Sequence, residues 1–176
     1  VRQGKALYVG ISNYSAEDTR RASQILKGMG IHCLIHQPNY SMFNRAPENG
    51  LFQALEDEGI GCIAYSSLAQ GLLTNRYFNG IPEDSRANGH SVFLTRDGVT
   101  QEKVEKAKKL DAIAQRRGQS LSQMALAWNL RNPQMISLII GASKVQQIEE
   151  NLKAQENMQF SQEELEEIDK ILLGSM

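Results

Sequence analysis

The stretch Leu138–Asn151, LIIGASKVQQIEEN, decides the fold class, because an apolar β-forming run passes through a Gly-Ala-Ser turn into a polar helix. Such a turn leaves backbone N–H groups of the helix start unpaired, beside the positive end of the helix dipole. It is therefore a ready anion site. Ser143 adds a hydroxyl, Lys144 adds a cation, and Gln147 and Asn151 follow on the same helical face. The arrangement fits a phosphate carried by a larger ligand, and it equally fits an ordinary helix start capped by Ser143.

Bulk composition narrows the class of protein. The chain has 176 residues and a formal net charge of −1, so it can bury a sizeable core but has no basic surface for nucleic acid or acidic membranes. No apolar run approaches the roughly 20 residues that span a bilayer. Cys33 and Cys62 lie in apolar segments at no metal or redox spacing, which indicates buried thiols in a reducing compartment. We therefore predict one cytoplasmic domain without nucleic-acid or membrane partners.

Short runs rich in β-formers alternate with amphipathic helical stretches. The predicted strands are Ala6–Ile11, Cys33–Ile35, Cys62–Tyr65 and Leu138–Ile140. The predicted helices are Glu17–Met29, Pro47–Glu58, Gln101–Arg117, Leu121–Arg131, Lys144–Ala154 and Ser161–Leu173. Ser15 fits a helix N-cap, Gly59 a helix end, and Ser161 opens a capping box. Strands that alternate with helices predict right-handed βαβ units and a parallel sheet.

Each predicted strand becomes polar at its C-terminal end. These ends read Ser12-Asn13, Gln37-Pro38-Asn39, Tyr65-Ser66-Ser67 and Gly141-Ala142-Ser143. Ligands lie at this end of parallel sheets, both in (β/α)8 barrels and in doubly wound folds. Tyr65 could present a flat face to a heteroaromatic ring there, and Gln37 could hold a carboxamide through its donor and its acceptor. Ordinary core packing is the alternative role for both side chains.

The segment 70–100 is long and unlike the other connections. It carries Gly71, Gly80, Pro82, Gly89 and Gly98, with Arg76 and Arg86 among them. Because loops of this length tend to be functional or disordered, a lid over the ligand is one interpretation and a plain surface excursion is the other. His32, His36 and His90 share no metal-ligand spacing, so no metal site is predicted.

The chain opens Val-Arg-Gln-Gly-Lys, without an initiator Met. This opening looks like the end of a helix with its glycine C-cap, running into the first strand. We therefore expect the sequence to be the later part of a longer protein.

Five segments, in this order, resemble the aldo-keto reductase family. They are VGISNYS (9–15), QPNYSMFNR (37–45), AYSSLAQGLLTNRY (64–77), IPEDSR (81–86) and IIGASKVQQIEEN (139–151). Each segment is a weak signal alone, but the ordered set covers nearly the whole chain. It is similar to the C-terminal half of the family, in the branch of bacterial glyceraldehyde-3-phosphate reductases and potassium-channel β subunits. The resemblance implies an α/β fold, a (β/α)8 TIM barrel of the aldo-keto reductase type, with this chain covering about strands five to eight.

The resemblance also implies a cofactor, NADPH, bound across the C-terminal face of the barrel. Under it, Tyr65 stacks on the nicotinamide ring, while Gln37, Ser12 and Asn13 hold the carboxamide. The pyrophosphate path consists of Ser66, Ser67, Leu68, Ala69 and Gln70, with Arg76 and Arg86 closing over it. The adenosine end and its 2′-phosphate contact Gly141, Ser143, Gln147, Glu150 and Asn151, and Lys144 adds charge near that phosphate.

The family's catalytic Asp, Tyr, Lys and His belong to its N-terminal half, and nothing in this chain matches those motifs. We therefore expect no catalytic residue here. The implied function is NADPH-dependent reduction of small aldehydes and ketones, of the glyceraldehyde 3-phosphate or methylglyoxal type, by a longer, homo-oligomeric protein. A cofactor-binding regulatory subunit like the potassium-channel β subunits is the alternative. A complete doubly wound domain that binds a mononucleotide is a third possibility.

Overall fold

Four parallel strands form the centre of the computed structural model, which describes residues 1–89 and 93–174. The strands are β1 (Val9–Ser12), β2 (Cys33–Gln37), β3 (Gly61–Ala64) and β4 (Met135–Leu138). The helices are α1 (Ala16–Gly28), α2 (Leu51–Glu58), α3 (Gln101–Arg116), α4 (Leu121–Leu130), α5 (Val145–Leu152) and α6 (Gln162–Leu173). Each strand pairs in parallel with the next along the chain, in the order β1-β2-β3-β4. A doubly wound sheet reverses its strand order at a switch point, so the doubly wound alternative is wrong.

The fourth strand lies earlier in the sequence than predicted. The prediction was Leu138–Ile140, whereas Met135–Leu138 pairs with β3. The apolar pattern missed this strand because the polar Ser137 interrupts it. At the other edge of the sheet, Ala6–Tyr8 lies outside β1, and the Leu7 side chain is 85% exposed.

The helix ends at Ser15, Gly59 and Ser161 follow the predicted capping signals, whereas the start of the second helix does not. Ser15 accepts a hydrogen bond from the Asp18 N–H at 3.0 Å, and Ser161 forms a capping box at the start of α6. The second helix was predicted from Pro47 but begins at Leu51, since Gly50 has a left-handed backbone with φ of +89°. A short 3-10 helix, Ala46–Glu48, precedes that break.

The two faces of the sheet differ in burial. Cys62 and Ala64 are fully buried and join Leu121 and Trp128 in the main hydrophobic core. The opposite face has glycines where the neighbouring strand comes close: a Cβ on Gly10 would lie 2.9 Å from Ile35 Cγ1.

A Cβ on Gly61 would likewise collide with the Ile136 side chain, which is itself 63% exposed. The sheet therefore has one buried, helix-covered face and one open face.

The segment 70–100 is an ordered excursion in the part that the structure describes. Four 3-10 turns, Ala69–Gly71, Asn75–Tyr77, Arg86–Asn88 and Arg96–Gly98, divide it. A small hydrophobic cluster of its own contains Leu72, Tyr77, Ala87 and Leu94, together with Val104 of α3. His90 lies outside the described residues. Through this cluster, described parts of the excursion pack against one another and against α3.

Candidate functional site

Three of the polar strand ends project from the open face of the sheet. Side chains alternate along a strand, so Ser12 shares a face with Gly10, Gln37 shares one with Ile35, and Tyr65 shares one with Gly61. Because Gly10 pairs with Ile35 and Ile35 pairs with Gly61 in the parallel register, these alternating sets lie on the same side of the sheet. The strands are parallel, so their C-terminal ends meet at one edge. The open face therefore presents hydroxyl, amide and phenol groups together.

Hydrogen bonds tie the first three strand ends to one another. The Ser12 hydroxyl donates to the Gln37 carbonyl at 2.9 Å, and the Asn13 N–H donates to the same carbonyl at 3.2 Å. The Tyr65 hydroxyl donates to Asn13 Oδ1 at 3.0 Å. This set, Ser12, Asn13, Gln37 and Tyr65, is called the platform below. The structure thus brings together the four residues predicted to hold a nicotinamide ring and its carboxamide.

Backbone strain concentrates at the predicted site. Among the described residues, four non-glycine residues have positive φ: Asn13 at 58°, Ser66 at 57°, Ala69 at 47° and Gln70 at 60°. All four belong to the predicted cofactor-binding set. Such conformations are costly and cluster at ligand clamps and active sites, so their placement is independent support for a functional site here.

A tight turn after β3 carries the predicted pyrophosphate path. Gln70 Nε2 donates to the Ser66 hydroxyl at 2.7 Å, and Arg86 donates to Gln70 Oε1 at 2.7 Å. A Cβ on Gly141 would lie 3.6 Å from Arg86 Nη2, so the guanidinium spans from the turn after β3 to the segment after β4. A larger side chain at Gly141 would occupy the space beside this cation.

Asn129 of α4 donates a hydrogen bond to the backbone of the same turn. The sequence analysis did not identify this residue. This residue is fully buried, and its Nδ2 donates to the Ser67 carbonyl at 3.3 Å and to the Ala125 carbonyl at 2.7 Å. Ser67 is itself buried, whereas Leu68 and Ala69 pack against the core. An isolated Asn in an apolar helix was the available signal, but its partner could not be read from spacing.

Arg76 is placed differently from Arg86. It donates to the Asp84 carbonyl at 3.0 Å and forms an ion pair with the Asp84 carboxylate at 2.9 Å. In this structure its Nη2 is therefore bound to Asp84, and closure of Arg76 over a ligand stays a prediction.

The start of α5 corrects the expectation of unpaired backbone donors. The N-cap is Lys144 and not Ser143. Gln147 Oε1 accepts from the Ser143 N–H at 2.8 Å and from the Lys144 N–H at 3.3 Å, so the side chain folds back over the helix end. The Ser143 hydroxyl also points at this oxygen, at 3.3 Å. Ser143, Lys144 and Gln147 do lie together, but an anion would have to displace the Gln147 side chain.

The remaining predicted adenosine contacts lie on α5. Glu150 is held by Lys153 at 2.7 Å and by Gln123 of α4 at 3.2 Å. Asn151 follows it and is half-buried. The carboxylate is thus already oriented by two partners before any ligand binds.

Burial shifts the titratable groups of the sheet toward their neutral forms. Burial lowers the pKa of His36, whose Nε2 accepts from the Tyr14 N–H at 3.2 Å. Burial also raises the pKa of the Cys62 thiol to about 12, and neither cysteine is in a disulfide. Within residues 1–89 and 93–174, no group of three or more His, Cys, Asp or Glu side chains could hold a metal ion.

No helix among the described residues is both long and apolar enough to cross a bilayer.

Comparison with known proteins identifies the family of this chain. The model of the aldo/keto reductase family matches residues 1–173. The chain belongs to the aldo/keto reductase family, whose fold is a (β/α)8 barrel. It is 48% identical over 174 residues to the L-glyceraldehyde 3-phosphate reductase of Escherichia coli O157:H7, and 47% identical to that of strain K12. Each alignment covers 97% of this chain and 50% of the reductase.

A third relative is named as a potassium-channel subunit and not as a reductase. A voltage-gated potassium channel beta-subunit-like protein of Schizosaccharomyces pombe is 36% identical over 180 residues, covering 98% of this chain and 52% of that protein. The chain therefore spans about half the length of the curated relatives it matches.

Proposed function

We propose that this chain is the cofactor-binding, C-terminal half of an NADPH-dependent reductase of small aldehydes and ketones, and that it supplies strands five to eight of the barrel. The proposed substrates are of the glyceraldehyde 3-phosphate or methylglyoxal type. The names of the two Escherichia coli relatives support an oxidoreductase of this kind. The observation that carries the proposal is the platform, which joins three strand ends on the open face.

The chemistry of the site fits both ends of the cofactor. Gln37 and Asn13 each offer an amide donor and acceptor, which is what a carboxamide requires. The half-buried Tyr65 ring offers a flat apolar face to a nicotinamide. Arg86 lies between Gln70 and Gly141, and Lys144 is next to Ser143 in the chain. Two cationic groups therefore lie near the segments proposed to hold the phosphates. Cations near phosphates form the stronger, charge-assisted class of hydrogen bond.

The chain's own residues would act by positioning. NADPH, when bound, would supply the hydride for the carbonyl carbon. Tyr65 would cover one face of its nicotinamide ring, and Gln37 and Asn13 would hold its carboxamide, which would leave the opposite face to the substrate. Fixing reacting atoms near 3 to 3.5 Å can remove several kcal/mol of a barrier. The proton for the carbonyl oxygen comes from outside this chain, since its sequence carries no match to the family's catalytic motifs.

Two measurements on the 176-residue chain test the proposal. We expect saturable NADPH binding, seen as quenching of protein fluorescence or by calorimetry, and no turnover of methylglyoxal. Lack of binding by a chain that melts cooperatively would contradict the proposal. Robust turnover, with contaminating reductase excluded, would show that catalytic residues lie within this chain.

The alternative function is a cofactor-binding regulatory subunit, which the Schizosaccharomyces pombe relative favours. The platform would serve both functions equally. A longer protein that contains this chain discriminates between them: a reductase turns over small aldehydes at substrate-dependent rates, whereas a subunit binds NADPH without turnover and associates with a membrane partner. We propose the reductase because the two relatives named as reductases are 48% and 47% identical to this chain, against 36% for the channel-subunit relative. We further propose that it is a homo-oligomer and that it is cytoplasmic, since the free buried thiols suit a reducing compartment.

A further inference from the structure

His36 lies beneath the platform without belonging to it. It occupies β2 between Ile11 of β1 and Cys62 of β3, and its side chain is fully buried. Alternation along the strand turns it away from Gln37, toward the helix-covered face. Sequence analysis gave this histidine no site role, because its partner is a backbone group 22 residues earlier in the chain.

The hydrogen bond of His36 defines the state of its ring. Nε2 lies 3.2 Å from the Tyr14 nitrogen, and a backbone N–H can only donate. Nε2 must therefore be the unprotonated nitrogen, and Nδ1 carries the proton. Nδ1 is buried and has no hydrogen-bond partner in the part of the chain that the structure describes. The ring thus accepts one specific bond and leaves its own donor unpaired.

Nε2 of His36 accepts its hydrogen bond from the loop 13–15, which carries the platform residue Asn13. Tyr14 stands between Asn13, which has φ of +58°, and Ser15, which caps α1. The Asn13 N–H is bound to the Gln37 carbonyl, so the loop is held on both sides of the strained residue. Loss of the hydrogen bond from the Tyr14 N–H to His36 would remove one of the two hydrogen bonds that hold this loop.

We propose that His36 is a positioning residue: through the Tyr14 amide it keeps Asn13 in its left-handed conformation and so aims the Asn13 side chain at Tyr65. The part of this inference that concerns NADPH rests on the proposed function. His36 touches neither cofactor nor substrate, and its effect on the cofactor passes entirely through the loop 13–15.

Two substitutions separate this role from core packing. In His36→Phe the planar ring remains but the acceptor is lost, whereas His36→Gln keeps an oxygen near the position of Nε2. We expect His36→Phe to weaken NADPH binding about fivefold to tenfold, the effect of one lost hydrogen bond, and His36→Gln to restore most of it. Hydrogen exchange should become faster at the Tyr14 amide in His36→Phe, while the Cys62 amide, bonded to the Gln134 carbonyl, stays protected.

The outcomes are distinct for the two proposals. Equal NADPH affinity and equal Tyr14 exchange in the wild type and His36→Phe would overturn the role of His36. If His36→Phe does not fold, nitrogen-15 NMR of the wild-type imidazole decides instead: a proton on Nε2 overturns the inference, and a proton on Nδ1 supports it. A folded wild type that fails to bind NADPH contradicts the proposed function. In that case the ring tautomer and the exchange of the Tyr14 amide still test the hydrogen bond between Tyr14 and His36.

Discussion

Asn13, Ser66, Ala69 and Gln70 show what single residues contribute to this site. Each has a left-handed backbone without being glycine, which costs on the order of 1–3 kcal/mol unless the surroundings enforce it. The sequence predicted all four as cofactor contacts but gave no sign of strain, since none is a glycine. The bonds that hold Asn13 come from residues distant in sequence, the Gln37 carbonyl and the Tyr65 hydroxyl, and Gln70 is bound by the distant Arg86. Residue types were therefore readable from the sequence, and their conformations were not.

Tyr65 provides the sharpest test at this scale. Tyr65→Ala removes the ring, and we expect NADPH affinity to fall by about 1 kcal/mol or more beyond the loss of packing. Tyr65→Phe keeps the ring but loses the 3.0 Å bond to Asn13, so its loss should be smaller, about 0.5–1 kcal/mol. Titration of each variant with NADPH measures both. Tyr8→Ala is the matched control, because this tyrosine is 69% exposed and lies outside the platform. If Tyr65→Phe and Tyr65→Ala lower the NADPH affinity equally, the hydroxyl is the functional group and the ring does not stack on the cofactor.

At the scale of elements, local signals were reliable and long-range pairing was not. Caps at Ser15 and Ser161 depend on atoms within three residues, and both were predicted. Strand β4 depends on pairing with β3, more than 70 residues earlier in the sequence, and its position was predicted too late in the chain. The break at Gly50 was missed, because a single glycine inside an apolar helical pattern is tolerated elsewhere.

The connection between β2 and α2 is locked by Glu48. Its carboxylate accepts from Arg45 Nε at 2.8 Å, from the Tyr40 hydroxyl at 2.7 Å and from Arg131 of α4 at 3.1 Å. Arg45 also pairs with Asp169 of α6 at 2.5 Å, and Arg131 stacks 3.6 Å from the Trp128 ring centroid. This network joins three elements behind the sheet. Burial alone would raise the pKa of Glu48, but these hydrogen bonds outweigh it and hold the pKa below 4.5.

We therefore predict a pH-dependent cost for Glu48→Gln. A lowered carboxyl pKa contributes stability above the unfolded value near 4.5, and this contribution is lost as the pH falls through the folded value. At pH 7 the variant should lose about 2 kcal/mol of unfolding free energy. At a pH below the unfolded value of 4.5 the difference from the wild type should be smaller, because the carboxyl then becomes protonated. Urea unfolding at both pH values measures it, with Glu56→Gln on the exposed side of α2 as control. A difference that does not change with pH would contradict the charged role of Glu48.

The start of α5 carries a prediction about cofactor choice. Ser143 and Lys144 lie together at the exposed helix end, where the 2′-phosphate is proposed to bind. Ser143→Ala combined with Lys144→Ala should weaken NADPH binding by about 1.5–3 kcal/mol and NADH binding far less. Parallel titrations with both nucleotides measure the ratio. Lys109→Ala, an exposed cation on α3, should leave the ratio unchanged. Equal losses for the two nucleotides would indicate loss of stability and not loss of a phosphate contact.

For the whole molecule, two observations lead us to expect that the chain self-associates. It matches only about half the length of its relatives, and its sheet has exposed surface. The chain covers about 50% of its relatives, and its four strands pair consecutively, as in one side of a barrel. The outer strands β1 and β4 each pair with one strand only among those described. The α/β class and the parallel sheet followed from the alternation of strands and helices, whereas the barrel type was only what the family resemblance implied, and the alternation by itself did not exclude a doubly wound strand order. The exposed side chains beside the outer strands could not be read from the sequence, because apolar residues are normally expected inside.

Exposed apolar side chains are found on both flanks of the sheet. Near β1 lie Leu7 at 85% exposure and, on α1, Ile25 at 52%. Near β4, helix α5 exposes Val145 at 71%, Ile148 at 45% and Leu152 at 55%. The spacing of these three places them on one face of the helix. Unpaired strand edges beside apolar surface promote association.

We therefore predict that the 176-residue chain self-associates in solution. Light scattering on a purified sample should give an average mass above the 19.6 kDa of one chain, rising with concentration. Val145→Lys with Ile148→Glu should shift the population toward the monomer without lowering the melting temperature, because both side chains are exposed. Leu173→Lys is the matched control: this leucine is 69% exposed and belongs to α6, not to α5, and its substitution should leave the mass unchanged. A wild type that stays monomeric and melts cooperatively at every concentration would show that the open sheet is stable without a partner.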